Sequence, residues 1–299
     1  MFENLPPVLN VFLLSFVASL GTGLGGLIAI IRRPGRRMYG LLMGITAGVM
    51  ICLSFLELVN EAWDMAGPWT ATIGFTLGAI SMFLLDTLSP HIRFGEEEVP
   101  RKSELLDVSG AKDCCDKPLR PCGCDAASVE RKRARRREHQ GLRWNSPQVD
   151  RKLVRTSLLL AIGIALHNLP EGIAVGAGYM HSPRFGLFIA LAIMLHNIPE
   201  GIATALPLCK AGVCREDALR VAFLSGLAEP IGALLASIFL VRFQALVPGA
   251  LAFAGGVMVF ITLDELIPAA REHGHQHFVA SGIILGSISV FILSGVLGI

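Results

Sequence analysis

The chain has 299 residues, 53% of them apolar and 7% aromatic, with Gly at 32 positions. That balance excludes an ordinary soluble globular domain and points to a polytopic membrane protein. The formal net charge of +2 selects no class of partner by itself, so its distribution has to carry the inference.

A bilayer-spanning helix needs about 20 mostly apolar residues. Eight segments qualify: 8–31, 38–60, 69–90, 153–178, 185–208, 217–241, 246–270 and 278–298. None alternates apolar and polar residues over about ten positions as a membrane barrel strand would. The expected fold class is therefore an all-α membrane protein with eight transmembrane helices. The first span follows "MFENLPP", which has no basic region, and it runs too long for a signal sequence, so it reads as a retained helix.

Between spans 3 and 4 lies a segment of different composition, 91–152, charged and holding Pro, Ser and four of the seven Cys without a sustained apolar period. Such composition predicts disorder. The chain thus divides into 1–90 with three spans, a loop at 91–152, and 153–299 with five spans, making one transmembrane domain overall. Loops after spans 1, 3, 5 and 7 share one side and hold 24 of the 26 Lys and Arg, Arg184 and Arg242 being the others. Excess Lys and Arg mark the cytosolic side. Both termini are then extracellular or luminal.

Span 4 contains "LHNLPEGIA" (166–174), and span 5 repeats it as "LHNIPEGIA" (195–203). Each residue of a helix advances about 100°, so His167, Glu171 and Asn168 share one arc, as do His196, Glu200 and Asn197. Ionisable residues inside a membrane are costly and mark function by default. Imidazole nitrogen, carboxylate oxygen and amide oxygen make a divalent-metal ligand set. Pro170 and Pro199 each remove the N–H that would bond the carbonyl four residues earlier, which predicts a kink and a freed carbonyl beside the ligands.

Spans 6 and 7 repeat the association of carboxylate with proline: Glu229 precedes Pro230, and Asp264 and Glu265 precede Pro268. Seven ligand-type side chains, His167, Asn168, Glu171, His196, Asn197, Glu200 and Glu229, suffice to enclose two metal ions. Glu57 in span 2 and Asp264 and Glu265 in span 7 are secondary pathway candidates.

Spans 1–3 and 6–8 also match at an offset of 207–208 residues. Gly48-Val49-Met50 and Glu57-Leu58 correspond to Gly256-Val257-Met258 and Glu265-Leu266, and "GFTLGAISMF" corresponds to "GIILGSISVF". Five spans separate each pair of partners, so the two triplets cross in opposite senses. Inverted repeats of this kind are a device of secondary transporters. The 3+2+3 arrangement places the doubled motif at the pseudo-symmetric centre.

On the predicted cytosolic face, Cys114, Cys115, Cys122 and Cys124 in "CCDKPLRPCGC", and His273, His275 and His277 in "HGHQH", are candidates for metal capture. The Cys spacing matches no standard zinc finger. The basic run Arg131–Arg137 suits anionic membrane lipid. It lacks the aromatic partners a nucleic-acid surface would have, and no nucleic-acid role is expected.

At "HNLPEG", "HNIPEGIA", "SGLAEP" and "GGVMVFITLDELIP" the chain resembles the ZIP (Zrt/Irt-like) divalent-metal transporters, in particular the ZupT-like branch. The resemblance covers all eight spans. It implies the 3+2+3 fold, a binuclear site between spans 4 and 5, frequent homodimers, and movement of Zn²⁺, often with Fe²⁺, Mn²⁺ or Cd²⁺, into the cytosol. The metal is then a transported ion, and no cofactor is expected. By position, His167, Asn168 and Glu171 match the family's span 4 ligands, His196, Asn197 and Glu200 its span 5 ligands, and Glu229 its span 6 ligand. Two departures stand out: Asn197 with no second His downstream, and Asp264 where related sequences often have His.

The competing functions are an intramembrane zinc hydrolase and a metal-gated sensor or receptor. A hydrolytic site would more naturally have three ligands, an open position and a separate base, and the HExxH protease motif is absent. The large loop is the sole hint of a sensor.

Overall fold

A computed structural model describes residues 6–32, 34–88, 151–273 and 275–299, and the regular elements among them are all helical. The cysteines Cys114, Cys115, Cys122 and Cys124 and the basic run Arg131–Arg137 lie outside the described residues. The α-helices are α1 (Pro7–Ile31), α2 (Arg36–Cys52), α3 (Asn60–Leu88), α4 (Arg151–His181), α5 (Pro183–Lys210), α6 (Arg215–Gly226), α7 (Ala228–Arg242), α8 (Val247–Ile261), α9 (Ile267–His273) and α10 (Gln276–Leu297). Two π-helical segments, Leu53–Val59 and Thr262–Leu266, join α2 to α3 and α8 to α9.

Six stretches of the described chain are long and apolar enough to cross a membrane. The protein is an all-α, multi-pass integral membrane protein. One of the six, Arg36–Thr87, has 52 residues. As a straight helix it would reach about 78 Å, more than twice the hydrocarbon thickness. It is broken at Gly67, where φ is 79° and ψ is 173° and Pro68 follows. Predicted spans 2 and 3 are the two arms on either side of that break.

Two of the predicted spans carry a local interruption. Predicted span 6 is divided into α6 and α7 at Leu227, whose N–H bonds the Leu224 carbonyl three residues back at 3.2 Å. The cause is Pro230, which has no N–H to offer the Gly226 carbonyl. Predicted span 7 passes through the Thr262–Leu266 π segment, with Pro268 just beyond. By contrast, α4 and α5 remain helical through Pro170 and Pro199.

Helices α1, α4, α5, α6 and α7 pack into one group, chiefly α1 along α5 and α4 along α7. Helices α2, α3, α8 and α10 form a second, with α2 along α10 and α3 along α8. The internal repeat is visible in these pairs, because exchanging each predicted span for its mate turns one pair into the other. It holds for individual residues. A Cβ on Gly25 would collide with the Ile198 carbonyl and one on Gly232 with the Leu169 carbonyl; 25 plus 207 is 232, and 198 less 29 is 169. Gly48 meets Ile283 as Gly256 meets Phe75, with 208 residues between 48 and 256 and between 75 and 283. Small residues let backbones approach this closely where both sides of an interface are as apolar as lipid. The two π segments share the register, since 57 plus 208 is 265 and Glu57 and Glu265 lie one in each.

Candidate metal centre

The doubled motif meets itself where α4 and α5 pack together. Glu171 Oε1 lies 2.9 Å from His196 Nε2 and 3.1 Å from His167 Nε2, and Glu200 Oε1 lies 3.3 Å from His167 Nε2. The contacts of His167 are short in distance but not aligned as hydrogen bonds, and its Nε2 is left without a hydrogen-bond partner. The groups converge on a shared point. Ligand atoms of His167, Glu171 and Glu200 all lie within 4.8 Å of one another. All seven residues singled out in spans 4, 5 and 6 are buried, none of them more than 6% exposed.

The two asparagines are anchored through their amide nitrogens. Asn168 Nδ2 donates to the Ser225 carbonyl at 3.1 Å; Asn197 Nδ2 donates to the Ala18 carbonyl at 3.2 Å and to Glu229 Oε2 at 2.8 Å. Glu229 Oε1 accepts from Ser15 Oγ at 3.0 Å. An amide nitrogen can only donate, so these carbonyl and carboxylate partners fix each amide's orientation and leave its oxygen free. The Oδ1 atoms of Asn168 and Asn197 are buried without partners, as are Glu171 Oε2, His196 Nδ1 and both carboxylate oxygens of Glu200.

Buried polar atoms are ordinarily satisfied, and a cluster of acceptors without hydrogen-bond partners calls for water, an ion or another ligand to complete it. The charge balance agrees. Three carboxylates, Glu171, Glu200 and Glu229, are buried here, and among the described residues the buried set includes no Lys or Arg. Buried charge without compensation is costly, and a divalent cation is the natural complement to nitrogen and oxygen donors without thiolate. The buried cysteines are elsewhere; Cys52 Sγ, for example, lies 3.8 Å from the Ser287 carbonyl.

The secondary candidates are not brought into this cluster. Glu265 is half-buried and lines a small cavity with Asp86, Gly163 and Leu166, beside His167 on the N-terminal side of α4. Glu57 is half-buried within four residues of Glu61, which pairs with His181 at the C-terminal end of α4, Nε2 to Oε1 at 2.8 Å. The two repeat mates thus flank the site from opposite ends, as inverted halves require. Asp264 is exposed, and so are His275 and His277. Sequence reasoning missed Ser15, Asp86 and the Ala18 and Ser225 carbonyls; a polar Ser inside the first apolar span was the available signal for Ser15.

The fold defines an integral membrane protein, and the cluster groups ligand-type side chains among its spans. The chain belongs to the ZIP zinc transporter family, whose sequence profile matches residues 62–294. Over 298 residues it is 37% identical to the zinc transporter ZupT of Akkermansia muciniphila, covering 96% of this chain and 97% of that relative. It is 33% identical to the zinc transporter ZupT of Clostridium perfringens, covering 96% and 95%. The zinc transporter ZupT of Oceanobacillus iheyensis is 35% identical, with 96% of this chain and 99% of the relative covered.

Proposed function

We propose that this protein carries divalent metal ions, zinc foremost, through the membrane into the cytosol. The observation that supports this most directly is the set of buried acceptor atoms without hydrogen-bond partners on His196, Asn168, Asn197, Glu171 and Glu200, beside three buried carboxylates with no Lys or Arg among the described buried residues. His167, Glu171, His196 and Glu200 are assigned to one ion, and Asn168, Asn197 and Glu229 to a second, with Glu171 and Glu200 bridging. Metal is the cargo. Membership of a transporter family favours carriage over hydrolysis or sensing.

The topology assigned is eight crossings with the 91–152 loop in the cytosol and both termini outside or luminal, on the strength of the Lys and Arg distribution. A hydrated ion enters past Glu61 and Asp64, exchanges water for the buried ligands, and leaves past Glu265, with Asp264, His273, His275 and His277 beyond. The two helix groups are the parts that rock against one another. Mixed nitrogen and oxygen ligation holds zinc less tightly than a thiolate cage would, which suits release. Cys114, Cys115, Cys122 and Cys124 are assigned to metal capture at the cytosolic exit, and the working unit is taken to be a homodimer in contact with membrane lipid.

The test is metal uptake into liposomes holding the purified protein, with Zn²⁺ alone and with Fe²⁺, Mn²⁺ or Cd²⁺ competing, at two pH values. Glu200→Ala and His167→Ala should each abolish most of the flux. Ligands must be deprotonated to bind, so flux should fall at the lower pH. Undiminished flux in both variants would overturn the site, and turnover of a lipid or peptide without metal flux would favour an enzyme.

A further inference from the structure

Thr22, in α1, is fully buried, and its hydroxyl has no hydrogen-bond partner. Helical Ser and Thr hydroxyls commonly bond a carbonyl three or four residues back. In this protein Ser19, Thr46, Thr204, Ser225, Ser237 and Thr262 all do so. For Thr22 the carbonyl four residues back is that of Ala18, and it accepts from Asn197 Nδ2. The carbonyl nearest in that pattern is thus engaged by the doubled motif, and the hydroxyl does not bond it.

The internal repeat says what Thr22 stands for. Adding 207 to 22 gives 229, so Thr22 is the mate of Glu229. The packing bears this out: Gly201 abuts the Thr22 carbonyl and the Gly26 nitrogen, while Gly172 abuts the Glu229 carbonyl and the Ala233 nitrogen. The carbonyls that anchor the two asparagines, Ala18 and Ser225, are mates as well, 18 plus 207 being 225. Glu229 reaches Asn197. The equivalent direction from Thr22 is toward Asn168, whose Oδ1 is also buried and unpartnered. Thr22 Cβ and Oγ1 pack 3.0 and 3.1 Å from where a Cβ on Gly226 would sit, one residue from the carbonyl that anchors Asn168.

We propose that Thr22 is a further specificity-determining residue of the transport site: its hydroxyl, with Asn168 Oδ1, holds the ion or a water the ion retains, as the neutral counterpart of Glu229. The proposal rests on the transport reading given above. Glu229 attracts a dication by charge, whereas a hydroxyl offers only a dipole, so the site has a holding half and a releasing half. Oxygen donors matter most to ions that favour high coordination by oxygen, such as Mn²⁺, and least to Zn²⁺, which is content with four ligands. Thr22 therefore sets how well Mn²⁺ competes with Zn²⁺.

The experiment is Zn²⁺ uptake into liposomes holding the full chain, with Mn²⁺ as competitor, for wild type, Thr22→Val, Thr22→Ser and Glu200→Ala. Valine keeps the shape and removes the hydroxyl, and should raise the Mn²⁺ concentration that halves Zn²⁺ uptake by about five-fold, the scale of one lost polar contact. Serine should restore the wild-type value. Thr22→Ser and Thr22→Ala give the same comparison should the valine variant not fold. A wild-type competition value in Thr22→Val, equal losses in the valine and serine variants, or a wild type indifferent to Mn²⁺ would each overturn the assignment of Thr22. Retained flux in Glu200→Ala would instead overturn the assigned site, and absence of metal flux in the wild type would overturn the transport reading itself, so the failures are distinct.

Discussion

His196 Nε2 lies 2.9 Å from Glu171 Oε1, so the imidazole of the second motif copy meets the carboxylate of the first. The reciprocal pair, His167 and Glu200, is 3.3 Å apart. Neither copy makes the cluster alone: α4 supplies His167 and Glu171 and α5 supplies His196 and Glu200.

The pairing is lopsided, and that predicts a ranking. Glu171 Oε1 approaches both imidazoles, whereas Glu200 approaches His167 alone. Removing the charge from Glu171 therefore unsettles two ligands as well as deleting one. Zinc binding to the purified protein, measured by calorimetry, should weaken in both Glu171→Gln and Glu200→Gln. The loss should be greater in the first, roughly 100-fold or more, since even groups that only orient ligands are worth 10–100-fold. Equal losses would show that the lopsided contacts carry no weight.

Ser15 makes a finer prediction. Its hydroxyl donates to Glu229 Oε1, while Asn197 holds Oε2. Ser15→Ala leaves the carboxylate tethered on one side, and zinc affinity should drop by about ten-fold, the lower end of what an orienting partner contributes. Ser15→Thr, which keeps the donor, should recover most of it. A loss that threonine does not recover would point to packing of α1 and not to the hydrogen bond.

Much of this was legible in the sequence, and the parts that were not share a cause. Apolar length gave the spans, and the doubled motif gave His167, Glu171, His196 and Glu200, because helical periodicity is a local property. The division of span 6 at Leu227 needed only Pro230 to be weighed against the Gly226 carbonyl, and was missed because apolar composition continues across it. Ser15 and the Ala18 and Ser225 carbonyls were out of reach for another reason. They join the cluster through contacts 57 to 214 residues apart in sequence, two of them made by backbone, and one-dimensional periodicity carries no trace of either. The Glu57 and Glu265 positions fall between: their repeat was read, and the opposite crossing of the two triplets sends them to opposite ends of the cluster.

Close backbone contact supplies a stability test. A Cβ on Gly25 would strike the Ile198 carbonyl carbon and oxygen, which cannot rotate away as a flexible side chain could. Gly25→Ala must push α1 off α5 and should destabilise the protein by about 1–3 kcal/mol, the usual range for overpacking. Gly35→Ala is the control, because a Cβ there meets nothing within 4 Å. Thermal unfolding in detergent should show a lowered Tm for the first and an unchanged Tm for the second.

Gly67 separates conformational strain from crowding. A Cβ at this position also meets nothing within 4 Å, so any cost of adding one is torsional. With φ at 79° and ψ at 173°, the residue lies in a region open essentially to glycine alone, where other residues incur about 1–3 kcal/mol. Asparagine tolerates positive φ in the left-handed helical region, but there ψ is near +47°, far from the value here. Gly67→Ala and Gly67→Asn should therefore lower Tm by similar amounts. Recovery in the asparagine variant would mean that the break between the two arms of Arg36–Thr87 can relax into a left-handed helical turn, and that its extended ψ is not required for the chain to reverse. Equal losses would instead tie the reversal to the one residue type that reaches this geometry, and with it the placement of α3 along α8.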